Sequence, residues 1–386
     1  MLIIRRDIME KESSVAIIDH FMELDDPRLN RKKEHLLIDI ITIVICAVIC
    51  GSDDWVAISQ FGVAKKSWFK TFLELPNGIP SHDTFGRVFS LISPEEFQTC
   101  FRNWVQSIVR VFDNEIIALD GKTLRRSHNN GVGKSAIHMV SAWASQNRLT
   151  MGQIKTEAKS NEITAIPELL KMLDIKGCIV TIDAMGCQKT IAQQIIDQEG
   201  DYVLSLKGNQ GNLLSSVEDV FNKIENQAYY ENLNVDYYET KDVDHGRVEY
   251  RRHWTTNEIE QIDKAKEWKG LETVGVVESE RHAEGKITIE RRYYILSLDN
   301  NAKRFAEAVR AHWGIENSVH WVLDVAFRED DSRTRKGYSA ENLSVVRHLA
   351  ANLLRNEKTV KVGVKNKRLL AGWDNDYLCK VLNGLT

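Results

Sequence analysis

Two short apolar runs set the limits on how this chain can fold. One is Glu115–Asp120, "EIIALD"; the other lies within "GCIVTIDAMG", Gly177–Gly186. Both are brief, rich in β-branched residues and end on an aspartate, which marks them as strands. The second is apolar without alternation, as a strand covered on both faces of a parallel sheet must be. A strand that leaves a core straight into a carboxylate needs positive charge at its end. Directly after the first run, "GKTLRRS" supplies Lys122, Arg125 and Arg126.

The remaining pattern is ordered around these two strands. Ala136–Ser145 and Arg148–Lys155 read as strands joined by a Gln146–Asn147 turn, so with the first strand they form a meander. "SNEITAIPELLKMLD" reads as a helix begun at Ser160 or Asn161. Gln188–Gln198 is another, stopped by Gly200, and "DYVLSLK" from Asp201 is a further strand. Upstream, residues 1 to about 110 keep helical spacing through Leu36–Cys50, Trp55–Phe61, Phe85–Ile92 and Phe97–Phe112. "SPEEF" at Ser93 has a capping serine and Pro at the first helical position. Residues 208 to about 300 are polar and Tyr-rich, with strand-like Val248–Thr255, Leu271–Glu280 and Ile287–Leu298, and read as an insertion. Ala302 to about Phe327 is a strong helix, and the tail is helical. With the insertion set aside, this α/β order is that of a ribonuclease-H-like mixed sheet whose first and fourth strands are neighbours. The expected divisions are an N-terminal helical domain (1–112), a core (113–207), a β-rich insertion (208–300), a core helix (301–345) and a basic tail (346–386).

The 43% hydrophobic content of these 386 residues suffices for two or three domains with a substantial core. The longest apolar run, "LLIDIITIVICAVIC", has 15 residues and is broken by Asp39 and Thr42. A membrane span needs about 20, so the run predicts a buried helix and no membrane association. "MLIIRRDIMEKESS" has charges on both sides of its apolar patch and does not read as a targeting signal. Six cysteines without a CxxC pair or zinc spacing point to a reduced, cytoplasmic protein. A net charge of −4 argues weakly against nucleic acid as a partner, but that charge is uneven. Arg333–Leu370 holds ten Lys/Arg against two acids, and Gly121–Thr156 holds six against none. Two basic patches on an acidic chain suit one face turned to a polyanion.

Adjacent parallel strands bring their C-terminal ends together, which is where α/β sheets place ligands. Asp120 and Asp183 are therefore expected side by side, where they repel unless a cation lies between them. Oxygen donors in an open site suit Mg²⁺ or Mn²⁺, and two such ions can hold the attacking and leaving oxygens of a phosphodiester exchange. The helix "FAEAVRAHWGIENSVHWVLDVAF" offers a third carboxylate. Ile315, Val319, Val322 and Ala326 make its core-facing stripe, and Glu316 lies beside it with His312 and His320 a turn away on either side. These histidines are eight apart, twice the spacing of a helical zinc pair, so they read as support for Glu316 or as phosphate contacts. Glu162 reads as a first-turn acid favoured by the helix dipole rather than a fourth ligand. Trp143, Trp313 and Trp321 read as core.

The motifs "ALDGKTLRRS", "SNEITAIPELL", "TIDAMGCQKTIA", "DYVLSLKGNQ" and "HWGIENSVHWVLDVAFRED" carry a resemblance. Spanning about Leu119 to Asp331, they resemble the H-repeat insertion-sequence transposases associated with Rhs elements, within the DDE superfamily. "DPRLNRKKEHLLIDI" is similar to that family's associated helical region. The resemblance implies a ribonuclease-H-like catalytic core whose acidic triad is Asp120, Asp183 and Glu316, with a β-rich insertion before the glutamate. It further implies metal-dependent hydrolysis at the ends of a mobile DNA element, then attack of the freed 3′ hydroxyl on target DNA. There is one departure. Broader relatives carry Tyr and Arg seven and four residues before the glutamate and Lys seven after it; here those positions hold Val309, His312 and Leu323. Arg310 and Arg328 are the nearest cations.

Lys122, Arg125 and Arg126 are expected to hold phosphates near the metals. "KGNQGN", with Lys207, Asn209 and Gln210, either cradles DNA backbone or starts the next helix. Arg310 and His312 complete the expected DNA contacts. The expected partners are double-stranded DNA at element ends and target, and a homo-oligomer on that DNA, placing the protein at the nucleoid. "RLNRKK" in the N-terminal region is the first choice for reading the ends and the basic tail the second. A metal nuclease that cuts without joining, and a DNA-binding relic without catalysis, are the alternatives.

Overall fold

In the computed structural model, which describes residues 16–109, 114–128, 135–156, 162–225, 234–244, 247–283 and 285–383, three of the N-terminal helices begin on side-chain caps. After the buried helix α1 (Leu37–Ile49), Asp54 accepts from Ala57 N at 2.8 Å to start α2 (Trp55–Ala64). Ser81 and Ser93 do the same, each at 3.3 Å, for α3 (His82–Phe89) and α4 (Pro94–Ile108). Ser160 and Asn161 lie outside the described residues; α5 is described over Glu162–Lys171.

The meander is β1 (Ile116–Leu124), β2 (Ile137–Ala144) and β3 (Leu149–Lys155). Next come β4 (Ile179–Ile182), α6 (Lys189–Asp197), β5 (Asp201–Leu206) and α7 (Gly211–Glu225). Four long strands follow: β6 (Val235–Asp244), β7 (Arg247–Thr256), β8 (Thr273–Ala283) and β9 (Lys286–Leu296). The chain closes with α8 (Ala302–Ile315), a π-helical turn over Glu316–His320, α9 (Trp321–Phe327), α10 (Ser339–Asn356), α11 (Val364–Trp373) and α12 (Asn375–Asn383).

The described strands form a single sheet in the order β3-β2-β1-β4-β5-β9-β8-β7-β6. β1 runs parallel to β4, as expected of a ribonuclease-H-like core, and β4 parallel to β5. The insertion continues this sheet: Val203 of β5 pairs with Leu296 of β9 in antiparallel register. β6 escapes sequence reading because "VDYYETKDVD" is too charged to resemble a strand. Cross-strand pairs sustain it, among them Arg252 with Glu239 at 3.0 Å and Arg251 with Asp242.

Two large cores lie on opposite faces. Ile117 and Leu119 pack with α5, α6 and α7, whereas Ala118 faces a cluster with α1, α4, α9, α10 and α12. The described parts of segments 1–112 and 346–386 thus meet in one core, together with Ile315, Val319 and Leu323 of the glutamate-bearing segment. Leu323, fully buried, takes the place expected of Val322, because the wide π turn advances the downstream stripe.

The tail is less basic at its surface than its composition suggests. Arg347, Arg355, Lys367 and Arg368 are each at most 7% exposed. Arg347 pairs with Glu329 at 3.5 Å, and Arg368 donates to Val48 O at 2.8 Å and to Asp53. Lys367 donates to Leu354 O at 3.0 Å. These cations satisfy interior acceptors, which one-dimensional charge counting cannot separate from a solvated face. All six cysteines are free thiols. Among the described residues no helix is long and apolar enough to cross a membrane.

Candidate functional site

β1 does not end on Asp120, and Asp-Gly makes no turn there. Ile116–Leu119 pair with Ile179–Ile182 of β4; β1 then continues beside β2 alone, with Asp120 opposite Ser141 and Leu124 opposite Ile137. Asp120 is the first residue past the parallel pairing, so its carboxylate stands where β4 has turned away. Alternation puts it on the face of Ala118, toward the helix that carries Glu316.

Glu316 opens the π turn and meets Asp120 at that point. π turns recur at functional positions because the wide turn re-aims side chains and frees carbonyls. Here the freed carbonyl of Ser318 accepts from the Arg355 guanidinium, which itself lies 5.0 Å over the Trp143 ring of β2. Upstream, His312 Nδ1 shares a 3.0 Å hydrogen bond with Thr181 Oγ1, fastening α8 to β4. Burial pushes the His312 pKa down.

Burial, then the charge of Glu316 and a hydrogen bond with it, push the Asp120 carboxyl up to about 8, against the downward pull of the Gly121 N–H. His320 completes the cluster: its Nδ1 is 3.4 Å from Asp120 Oδ2 and 3.6 Å from Glu316 Oε2. Burial drives the His320 pKa down, so the ring is a neutral nitrogen donor. One ligand atom from each of these three side chains lies within 4.8 Å of the others.

Asp183 follows β4 directly and is a neighbour of Asp120 by strand register. Its Oδ1 accepts from Met185 N at 3.0 Å and Gly186 N at 3.4 Å, capping its own turn. The amides of "KGNQGN" hold that turn in place. Asn209 Nδ2 donates to Ala184 O at 2.7 Å, and Gln210 Nε2 to Cys187 O at 3.0 Å. Lys207 beside them is exposed.

The cations expected to meet phosphates are placed unequally. Lys122 is largely buried between Asp324 at 2.5 Å and Glu329 at 2.8 Å. Arg125 and Arg126 lie at the surface against Asp330 at 3.1 Å and Asp331 at 3.4 Å. Arg310 projects away from Glu316, 3.6 Å from Asp242 of the insertion. Trp143 is core, but Trp313 and Trp321 are 40% and 61% exposed, contrary to the core expectation.

Sequence reasoning missed one constellation. Glu162 is buried, its Oε1 2.7 Å from His138 Nε2, while His138 Nδ1 meets Thr123 Oγ1 at 2.9 Å. The pair lies over Gly121, where a Cβ would stand 2.1 Å from Glu162 Oε1. Gly121 is thus fixed by crowding rather than by turn geometry. The available signal was the glycine itself inside a strand.

Residues 111–353 match the family described as "Transposase DDE domain", and residues 18–105 match one described as "DDE_Tnp_1-associated". The chain is 45% identical over 374 residues to "Putative transposase YncI" of Escherichia coli O157:H7, covering 95% of this chain and 94% of that protein. It is 44% identical over 375 residues to "H repeat-associated putative transposase YhhI" of Escherichia coli K12, covering 95% and 98%. A solved piggyBac transposase synaptic complex with hairpin DNA aligns over 96% of this chain and 77% of that one. Its TM-score of 0.42 and 10% identity are too remote to carry weight.

Proposed function

This chain belongs to the family of transposases built on the DDE domain, and on that footing we propose that it hydrolyses phosphodiester bonds at the ends of an insertion sequence and joins the freed 3′ ends to target DNA. The observation that carries this reading is the contact between Asp120 and Glu316, two carboxylates from distant parts of the chain held together at the edge of a parallel strand pair. Such a pair is costly without a cation and favourable around one.

The donor set fits a divalent ion. Carboxylate oxygens suit Mg²⁺ or Mn²⁺, and the imidazole nitrogen of His320 shifts the preference toward Mn²⁺. Asp120, Glu316 and His320 would hold one ion, and Asp183 would complete the acidic triad toward a second. When bound, the metal supplies charge neutralisation and polarisation of the scissile phosphate. The chain's own residues do the rest. Thr181 and His312 keep the glutamate helix on β4, Asn209 and Gln210 fix the turn behind Asp183, and Lys207, Arg125 and Arg126 reach phosphates. Lys122 acts from within, tying β1 to α9. Arg310 would contact DNA from the insertion side.

Cutting and joining two element ends requires at least two protomers on double-stranded DNA, working at the nucleoid. The helical region around "RLNRKK" would read the ends. A nuclease that never joins and a binding relic that never cuts are the competing readings. The relic gains from one observation: Val309 and Leu323, where broader relatives carry Tyr and Lys, are buried and offer no phosphate contact. One assay separates the three. Purified protein is incubated with Mn²⁺ or Mg²⁺ and DNA carrying the element's ends, alongside Asp120→Ala, Asp183→Ala and Glu316→Ala. The proposal expects cleavage and joined product from the wild type and neither from the variants. Cleavage without joining identifies a nuclease, and binding without cleavage a relic.

A further inference from the structure

Three consecutive acids, Glu329, Asp330 and Asp331, form a 3-10 turn after α9. Each meets one of the three cations that follow Asp120. Glu329 pairs with Lys122 at 2.8 Å, Asp330 with Arg125 at 3.1 Å and Asp331 with Arg126 at 3.4 Å. The two motifs are thus matched side chain by side chain across about 200 residues of sequence.

The three pairs are not alike. Lys122 and Glu329 have side chains 11% and 1% exposed, so this pair anchors the turn inside the protein. Arg125 and Arg126 are 78% and 46% exposed, and solvent screens their pairs. A surface pair of this kind shifts an equilibrium by no more than about fivefold. Asp330 is also poorly served where it stands: its Oδ1 is buried and has no hydrogen-bond partner. Arg328 adds a further cation 3.2 Å from Asp331. The backbone is held firm, with Arg335 Nε donating to Arg126 O at 2.9 Å.

We propose that the Arg125–Arg126 turn is a docking surface for the phosphate backbone of double-stranded DNA, and that Asp330 and Asp331 occupy it in the free protein as stand-ins for two phosphates. The proposal rests on the transposase reading and deepens it. A DNA phosphate offers the guanidinium fork two oxygens and a full charge, and outcompetes a single, badly satisfied carboxylate oxygen. Because Glu329 stays anchored, the exchange needs only local rotation of the half-buried Asp330 and the exposed Asp331. The turn follows β1 directly and begins five residues after Asp120, so phosphates held there are fixed relative to the acidic cluster. The stand-ins weaken binding to any DNA that engages this surface alone.

The test is binding of the full-length protein to a labelled random duplex by fluorescence anisotropy across a salt series. Four forms are compared: wild type, D330N/D331N, R125Q/R126Q and the combined quadruple variant, each checked for folding by circular dichroism. D330N/D331N should bind about 2- to 30-fold more tightly at low salt. Its log–log salt slope should steepen by up to about 1.8, since two more phosphate contacts then release counterions. In the R125Q/R126Q background the same aspartate changes should have no effect. An equal gain in that background means only that negative charge was removed, and overturns the proposal. So does an unchanged or weaker affinity of folded D330N/D331N. If the double variant does not fold, D331N alone, read against R126Q, makes the same comparison. Absence of DNA binding by every form overturns the transposase reading as well; binding without coupling overturns the stand-in proposal alone.

Discussion

At the scale of single residues, the surroundings of Asp120 resist its ionisation. Its carboxyl titrates near 8 because burial and Glu316 both disfavour the charge. A carboxyl raised in the folded state contributes stability that is complete below its ordinary value of 3.8 and is lost as pH rises through 8. Metal-free protein should therefore lose thermal stability between pH 6 and 9, and Asp120→Asn should flatten that decline. Added Mn²⁺ should raise the unfolding temperature more at pH 8 than at pH 6, which differential scanning fluorimetry measures directly. Gly121 gives a second prediction at this scale. Gly121→Ala puts a methyl against Glu162 and His138, and should cost roughly 1–3 kcal/mol in urea unfolding. Asp120 and Glu316 were legible in the sequence because a carboxylate at a strand exit, or on the margin of an apolar helix face, is locally anomalous. The partners of Lys122 were not, since a lysine followed by arginines looks the same whether it faces DNA or a buried glutamate.

At the scale of elements, the π turn is the part that presents Glu316 and His320, and it depends on one guanidinium. Arg355 is held well below its usual range, at about 9, by burial and by Arg148. Arg355→Met leaves the Ser318 carbonyl without its donor. It should cost about 1.5–3 kcal/mol and weaken Mn²⁺ binding measured by titration, while leaving the helical circular dichroism intact. The Lys122–Glu329–Arg347 group is the other clamp between β1, α9 and α10. Burial alone would raise the Glu329 carboxyl, but Lys122 and Arg347 outweigh it and hold it at about 2. The stability it contributes is present above 4.5 and is lost as pH falls from there through 2. Glu329→Gln should remove that acid sensitivity and cost roughly 3–5 kcal/mol at neutral pH by leaving the buried Arg347 without its carboxylate, while Lys122 keeps Asp324. Most helices and the parallel pair could be read from caps and apolar period. The π turn could not, because a helix interrupted by one wide turn keeps nearly the same spacing as one that is not.

For the whole molecule, the sequence suggested five consecutive segments, whereas packing joins them. The insertion extends the central sheet from β5 through β9. The N-terminal and C-terminal helices fill one core, into which the glutamate-bearing segment also packs. α10 explains why this was hidden: its polar residues satisfy interior groups, as when Asn342 Nδ2 donates to Phe89 O and Ile92 O, each at 3.0 Å. A chain cut after Asn356 loses Ala371, Leu378 and Val381 from that shared core and should no longer unfold cooperatively by calorimetry. The arrangement makes the acidic cluster a product of the whole fold, with Asp120 on the sheet and Glu316 on a helix braced by the tail. The most direct measurement is of metal at that cluster, by electron paramagnetic resonance titration of Mn²⁺ into wild type, Asp120→Asn, Glu316→Gln and His320→Ala. Binding by the wild type and at least tenfold weaker binding in both carboxylate variants is the expected result, with a smaller loss for His320→Ala. Undiminished binding in folded Asp120→Asn or Glu316→Gln would contradict the proposal that these two side chains hold one ion.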